Sequence, residues 1–494
     1  MNKHLQRIAR FLFWLLIAVI FFVTIGHFPP LEQLTRAQSA ALGILLIAAL
    51  LWITEMIPLF VTSLLVLFLA IAWLTPLLPD EAPAISSDLF LSPFFSDIIV
   101  LFLGGFVLSA ALRKQRLDEW LGRWILARSG SSLSMLTLGV MSVTAFLSMW
   151  LSNTATAAMM LTIVVPIAER LDPKSAWRKG LILAVPLASN IGGIGTPIGS
   201  PPNAIALKYM ASEGIVPSFS SWMLIGVPGV VALLGLAWLV LRILCGKPPT
   251  YQQAPTPESV LMKSLSEKGS DPLRHGPKTN KIDLPPKGQT PFRIGSKSKS
   301  LIIVLAALVV TIVGWMTAGL HGYSTGTVAL LPILILFGSG VLTTKELRSL
   351  PWDVLILMGG GLCLGVVLDA SGLALWLVDS LPVAGLSSYQ LMIVFGATAL
   401  LLSSVMSNTA AANLVMPVVL GLSVEPLEPM FLSAAFACSV AMPLPVSTPP
   451  NAIAFAAGTL SVSDMVRAGG TVTILGAILT FTIGYWWWDF VGFF

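Results

Sequence analysis

The sequence predicts an all-α polytopic membrane protein whose two halves form an inverted repeat, with helices broken at the membrane midplane. Three observations carry that prediction. Hydrophobic residues fill 56% of the 494 positions and charged residues only 10%, with a mean hydropathy of +0.88. A water-exposed globular surface needs far more charge than this. The apolar residues come in blocks close to the ~20 that span a bilayer as a helix. Finally, one set of polar, helix-breaking motifs occurs twice in the same order.

The elements follow along the chain. A first span over about 11–27 comes after Lys3, Arg7 and Arg10. No small-residue cleavage site follows it, so it reads as an uncleaved span and not a signal peptide. Further apolar segments lie near 39–54, 58–78, 97–112, 134–168, 180–211 and 222–244, then near 300–320, 324–343, 353–369, 388–422, 430–458 and 470–490. Between the two sets, residues 246–300 hold ten Lys/Arg against four Asp/Glu and few large apolar residues. Such a stretch cannot bury enough surface to fold alone and is expected to be a disordered linker. The chain therefore divides into a first span (1–30), a first repeat (31–245), the linker (246–300) and a second repeat (301–494).

Matching segments in one order define the repeat. Asp97-Ile98-Ile99-Val100 resembles Asp353-Val354-Leu355-Ile356, and Gly104-Gly105 recurs as Gly360-Gly361. Leu117 and Trp120 recur as Leu373 and Trp376. Ser152-Asn153-Thr154 recurs as Ser407-Asn408-Thr409. Pro197-Ile-Gly-Ser-Pro-Pro-Asn-Ala-Ile-Ala recurs as Pro445-Val-Ser-Thr-Pro-Pro-Asn-Ala-Ile-Ala. Internal repeats of this kind are a hallmark of secondary transporters.

Charge supplies the orientation. Arg113, Lys114, Arg116, Arg123 and Arg128 follow the 97–112 span, and Arg170, Lys174, Arg178 and Lys179 follow the 134–168 block. Basic flanks are expected on the cytoplasmic side. The matching flanks of the second half carry Asp369, Asp379, Glu425 and Glu428 with no Lys or Arg, so they are expected outside. The repeat is therefore inverted, in a plasma or inner membrane, with the N-terminus and linker cytoplasmic and the C-terminus outside. Residues 134–168 have basic flanks at both ends yet are too short for two full spans of ~20 residues. A re-entrant hairpin fits both facts, and 388–422 is its mate.

The motifs sit where helices must start. Ser, Asn and Thr accept bonds from orphan N–H groups at helix N-termini, so each hairpin tip is expected to present one. Ser200 before Pro201, and Thr448 before Pro449, read as an N-cap followed by proline at the first helical position. Gly192-Gly193-Ile-Gly195-Thr-Pro197, and Pro443 with Pro445, cannot hold a regular helix. The segments 180–211 and 430–458 are thus broken. Four converging helix N-termini make an anion site without a basic residue, and unwound carbonyls beside them are hard oxygen donors suited to Na⁺.

Other features read as structural. Cys245, Cys363 and Cys438 are scattered and give neither a disulfide framework nor metal spacing. The pI near 9.1 reflects cytoplasmic loops and not nucleic-acid binding. Asp97 and Asp353 are expected to be structural caps, Glu55 interfacial, Lys208 snorkelling, and Trp486-Trp487-Trp488 an interfacial belt. An enzyme is disfavoured: none of His4, His27, His275 and His321 lies mid-span, and no base lies near Ser152 or Ser407. No organic cofactor is expected.

The paired Ser-Asn-Thr and [Ser/Thr]-Pro-Pro-Asn-Ala-Ile motifs resemble the divalent anion:sodium symporter family, over nearly the whole chain except the linker. The resemblance implies about eleven transmembrane helices plus two re-entrant hairpins, a homodimer, and elevator-like movement. It implies Na⁺ at Ser148, Ser152, Asn153 and Gly199, and at Ser403, Met406, Asn408 and Ser447. It also implies a dianionic carboxylate held by Ser152, Asn153, Thr154, Ser200 and Pro201 on one side, and Ser407, Asn408, Thr409, Thr448 and Pro449 on the other. Both intact Ser-Asn-Thr motifs look like the carboxylate branch. Na⁺-independent dicarboxylate exchange and sulfate symport remain open alternatives.

Overall fold

The structure, a computed structural model, describes residue 15 and residues 34–78, 87–115, 132–248, 299–380, 385–422 and 424–494. The first span apart from Leu15, most of the linker, and Arg116, Leu117, Trp120, Arg123 and Arg128 lie outside the described residues. Among the described residues, the regular structure is helical throughout. Eight stretches there are long and apolar enough to cross a membrane, and five apolar helices of 10–17 residues are shorter.

In the first half, α1 (Arg36–Thr54), α2 (Leu59–Leu69) and α3 (Asp97–Lys114) come first. Thr35 and Gln38 start α1 with a reciprocal capping box. Next come α4 (Leu133–Ser148) and α5 (Asn153–Glu169), joined by a tight connection. Then α6 (Ala176–Gly192) ends in a 3₁₀ turn at Gly193–Gly195 and an extended Thr196 before α7 (Pro201–Ser212) begins. The long α8 (Phe219–Cys245) closes the half.

The second half repeats this order. It runs through α9 (Lys299–Met316), α10 (Thr325–Gly338), α11 (Trp352–Ala370) and α12 (Leu373–Ser380). Then α13 (Ser388–Val405) and α14 (Asn408–Val419) form the counterpart of α4 and α5. After them, α15 (Glu428–Val440) breaks at the extended Ala441 and α16 (Pro449–Ala456) resumes. A final helical stretch, Val462–Phe490, contains two π turns.

The halves exchange partners. Helix α3 packs on α10 of the other half, and α11 packs on α2. The repeated glycine pairs make these approaches possible: a Cβ on Gly104 would lie 2.5 Å from the Ala329 carbonyl oxygen, and one on Gly360 would collide with Ser63. The broken helices cross over too. Helix α7 packs on α14 and α15, while α16 packs on α5 and α6. Each half's Pro-Pro-Asn helix is thus seated in the other half.

The polar outliers do different jobs. Asp97 accepts from Ser324 Oγ and, at 3.1 Å, from Gly326 N, so it caps the start of α10 and not its own helix. The tryptophan run divides, because successive residues on a helix point about 100° apart. Trp486 is 61% exposed while Trp488 is 1% exposed, packed edge-on against Phe436 with ring centroids 5.3 Å apart.

Candidate functional site

All ten residues expected to face the anion line one cavity of about 710 Å³: Ser152, Asn153, Thr154, Ser200, Pro201, Ser407, Asn408, Thr409, Thr448 and Pro449. Gly199 lines it as well. Four helices begin there. Ser152 Oγ accepts from Ala155 N at 3.2 Å and caps α5. Ser407 Oγ accepts from Ala410 N, also at 3.2 Å, and caps α14. Thr448 Oγ1 accepts from Asn451 N at 3.3 Å and caps α16. Ser200 holds the N-cap position of α7 with extended backbone, but its side chain makes no cap bond. The partial positive charge of four helix starts therefore faces one shared cavity.

Behind Ser152 and behind Ser407 lies a knot of oxygen atoms. In the first half, Ser148 Oγ lies 2.6 Å from the Asn153 side chain and donates to Ser189 O at 2.8 Å. The Asn153 amide, turned to place its nitrogen inward, donates to Gly199 O at 3.1 Å, to Ser148 Oγ and to Ser189 O at 3.3 Å. In the second half, Ser403 Oγ donates to Asn408 Oδ1 at 2.8 Å and to Cys438 O at 3.1 Å. Ser447 Oγ donates to Ser404 O at 2.8 Å. Met406 is fully buried at the end of α13 with extended backbone. The residues named for the two cation sites thus gather in two clusters, flanking the cavity. Uncharged oxygen donors of this kind suit a hard monovalent cation. No group of three or more His, Cys, Asp or Glu side chains among the described residues forms a multivalent metal site.

The unwound segments are held by the motif asparagines, whose role the motif alone did not reveal. Asn203 Nδ2 donates to Gly193 O and Thr196 O, both at 2.8 Å. Asn451 Nδ2 donates to Met442 O at 3.1 Å and Leu444 O at 2.9 Å. Buried carbonyls freed by a helix break must find donors, and these amides supply them.

Other residues in or beside the cavity lining were missed from sequence. Asn190, at the end of α6, lines the cavity and donates to Thr448 Oγ1 at 3.0 Å. Ser439, in the matching place on α15, donates to Ser200 Oγ at 3.4 Å. Phe102, Phe106 and Arg113 line the cavity from α3, and Asp353 lines it from α11. Asp353 had been expected to serve only as a cap. The available signal was polarity: Asn190 is the one amide in the apolar stretch of α6.

Comparison with known proteins agrees with this architecture. Residues 49–437 match the model of the citrate transporter family. The sodium-dependent dicarboxylate transporter SdcS of Staphylococcus aureus strain USA300 is 34% identical over 502 residues, covering 95% of this chain and 89% of the relative. The same protein from strain MW2 matches equally. Among solved structures, the Alcanivorax borkumensis YdaH transporter shares the fold with a TM-score of 0.53 at 13% identity, covering 88% of this chain and 98% of that one.

Proposed function

The chain belongs to the citrate transporter family, and on that premise we propose that it is a Na⁺-coupled symporter of C4-dicarboxylates or related di- and tricarboxylates. The observation that carries the reading is the convergence of four helix N-termini on one cavity, lined by both Ser-Asn-Thr motifs. A dianion gains helix-end charge and N–H donors there. Na⁺ held at Ser148, Ser152, Asn153 and Gly199, and at Ser403, Met406, Asn408 and Ser447, offsets its charge. The sodium-dependent relative, 34% identical, supports the coupling.

Alternating access follows from an inverted repeat with α4–α5 and α13–α14 as re-entrant hairpins. Each of these helices has 12–18 residues. Inversion is supported by side-chain pairing: Lys114, at the end of α3, meets Glu346, just before α11, at 2.7 Å. The end of one helix and the start of its repeat mate therefore share a side. Arg113, Ser349 and Pro351 rim the cavity, beside Lys114, Lys345 and Arg348. That basic side is cytoplasmic by the positive-inside rule, so the cavity opens inward in this arrangement. A homodimer held by α1–α3 and α9–α11, with the hairpins and broken helices moving as an elevator, completes the reading.

Uptake of succinate by proteoliposomes, with external Na⁺ replaced by choline, tests it. Uptake is expected to stop. Undiminished uptake overturns the coupling and leaves a Na⁺-independent exchanger; uptake of sulfate alone moves the substrate to the other divalent anions.

A further inference from the structure

The two halves differ in how they treat the hydroxyl that caps the Pro-Pro-Asn helix. In the second half a chain of hydrogen bonds has only one direction. Met442 O and Leu444 O are acceptors only, so Asn451 must turn its nitrogen to them. Its oxygen Oδ1 then faces Asn190 and fixes that amide as well: Asn190 Nδ2 donates to Asn451 Oδ1 at 3.3 Å and to Thr448 Oγ1 at 3.0 Å. Thr448 Oγ1 also accepts from Asn451 N at 3.3 Å. Both of its lone pairs are now used. Its own O–H can only donate, and among the described residues no hydrogen bond takes that proton. Thr448 is 3% exposed and Asn190 1% exposed, and both line the cavity.

The first half lacks the relay. Asn203 is anchored in the same way by Gly193 O and Thr196 O, but its Oδ1 is buried without a partner. Ser439 stands where Asn190 stands in the other half, and it is too short to bridge. Ser200 Oγ accepts one bond from it, at 3.4 Å, and no cap bond fixes its hydroxyl.

We infer that Asn190 is a positioning residue: through Asn451 it locks the Thr448 hydroxyl as a donor pointed at the anion, so that the second half imposes an ionised carboxylate on the substrate. This rests on the reading of the cavity as an anion site. A hydroxyl fixed before binding needs no reorientation when the carboxylate arrives. Substituting Asn190 with Ser, the residue of the matching place, shortens the side chain and frees Thr448 to turn either way.

The test is Na⁺-driven succinate uptake by wild type, Asn190→Ser, Thr448→Val and the double variant in proteoliposomes. Half-saturating succinate is expected to rise about tenfold in Asn190→Ser with the maximal rate within about twofold, the size of a lost hydrogen bond to a charged group. In the Thr448→Val background the same change is expected to add less than about twofold, since residues coupled through one partner are not additive. A wild-type half-saturation in Asn190→Ser overturns the inference. So does an equal effect with and without the Thr448 hydroxyl, which is the mark of a merely structural role. If Asn190→Ser does not fold, Asn451→Asp, which carries no amide donor for Met442 O and Leu444 O at neutral pH, repeats the cycle on the other link. Thermal stabilisation of wild type by succinate with Na⁺ separates the two failures. Without it the anion-site reading falls; with it, and with unchanged variants, only the relay falls.

Discussion

The unwound segments of the two halves do the same job by opposite means. In the first half, residues 193–199 are buried throughout, whereas the matching stretch of the second half reaches the surface at Val446, which is 59% exposed against 8% for Ile198. The first segment is shaped by missing side chains. A Cβ on Gly199 would lie 2.5 Å from Gly193 O, and one on Gly193 would lie 2.8 Å from the Asn153 amide. The second is shaped by side chains that are present: Ser447 Oγ accepts from Leu444 N at 3.1 Å and donates to Ser404 O, and Pro443 and Pro445 restrict the backbone. A duplicated sequence thus kept its geometry while changing what enforces it.

Exchanging the two enforcers is the sharpest way to break that comparison. Gly199→Ser forces a side chain into the Gly193 carbonyl oxygen, beside the Ser148–Asn153 cluster. A displacement of about 1 Å there costs on the order of 100-fold in transport, because bound groups act only when placed. Na⁺-dependent succinate uptake, normalised to protein inserted, measures it, and uptake near wild type removes the steric argument. Asn451→Ala comes next. It strips donors from Met442 O and Leu444 O, at about 1–3 kcal/mol for each buried carbonyl left unpaired, which a lowered unfolding temperature in detergent reads directly. Asn203→Ala is expected to match it in stability but to weaken succinate binding less, because only the second half carries the relay through Asn190. Ser447→Gly is milder: two hydrogen bonds are lost at a partly exposed turn. About a threefold to tenfold rise in half-saturating Na⁺ is expected, the worth of roughly 1 kcal/mol. Val446→Ala is smallest, within about 0.5 kcal/mol of wild type in stability, as for exposed positions generally. A large loss there would mean the surface is covered during transport.

The legible part of the molecule is the part that recurs. Ser152, Ser407 and Thr448 cap helices as their residue types require, and the breaks fall where Gly193–Gly195 and Pro443–Pro445 stand. Ser200 shows the limit: it occupies the cap position without making the bond. Asn190 belongs to no motif, because its place in the repeat holds Ser439; its polarity in an apolar helix marks it, but only hydrogen-bond geometry pairs the two. Asp97 and Asp353 recur but part company, one capping α10 and the other lining the cavity, since a residue's role depends on the neighbour that the fold brings to it. The exchange of partners between halves left no local pattern, because contacts between α7 and α14 or between α16 and α5 join residues more than a hundred positions apart.

That exchange has a consequence for how the molecule is made. A ribosome delivers the first half to the membrane while α14 and α15 do not yet exist, so α7 must wait without the surfaces that later hold it. The wait ends when α14 and α15 have been synthesised, and α16 then takes its own seat against α5 and α6. The cavity cannot form at any earlier stage, because Ser407, Asn408, Thr409 and Thr448, which complete its lining, follow the first half in the chain. Closure of that lining therefore requires both halves. Two separately expressed halves should regain it only when they meet in the same bilayer.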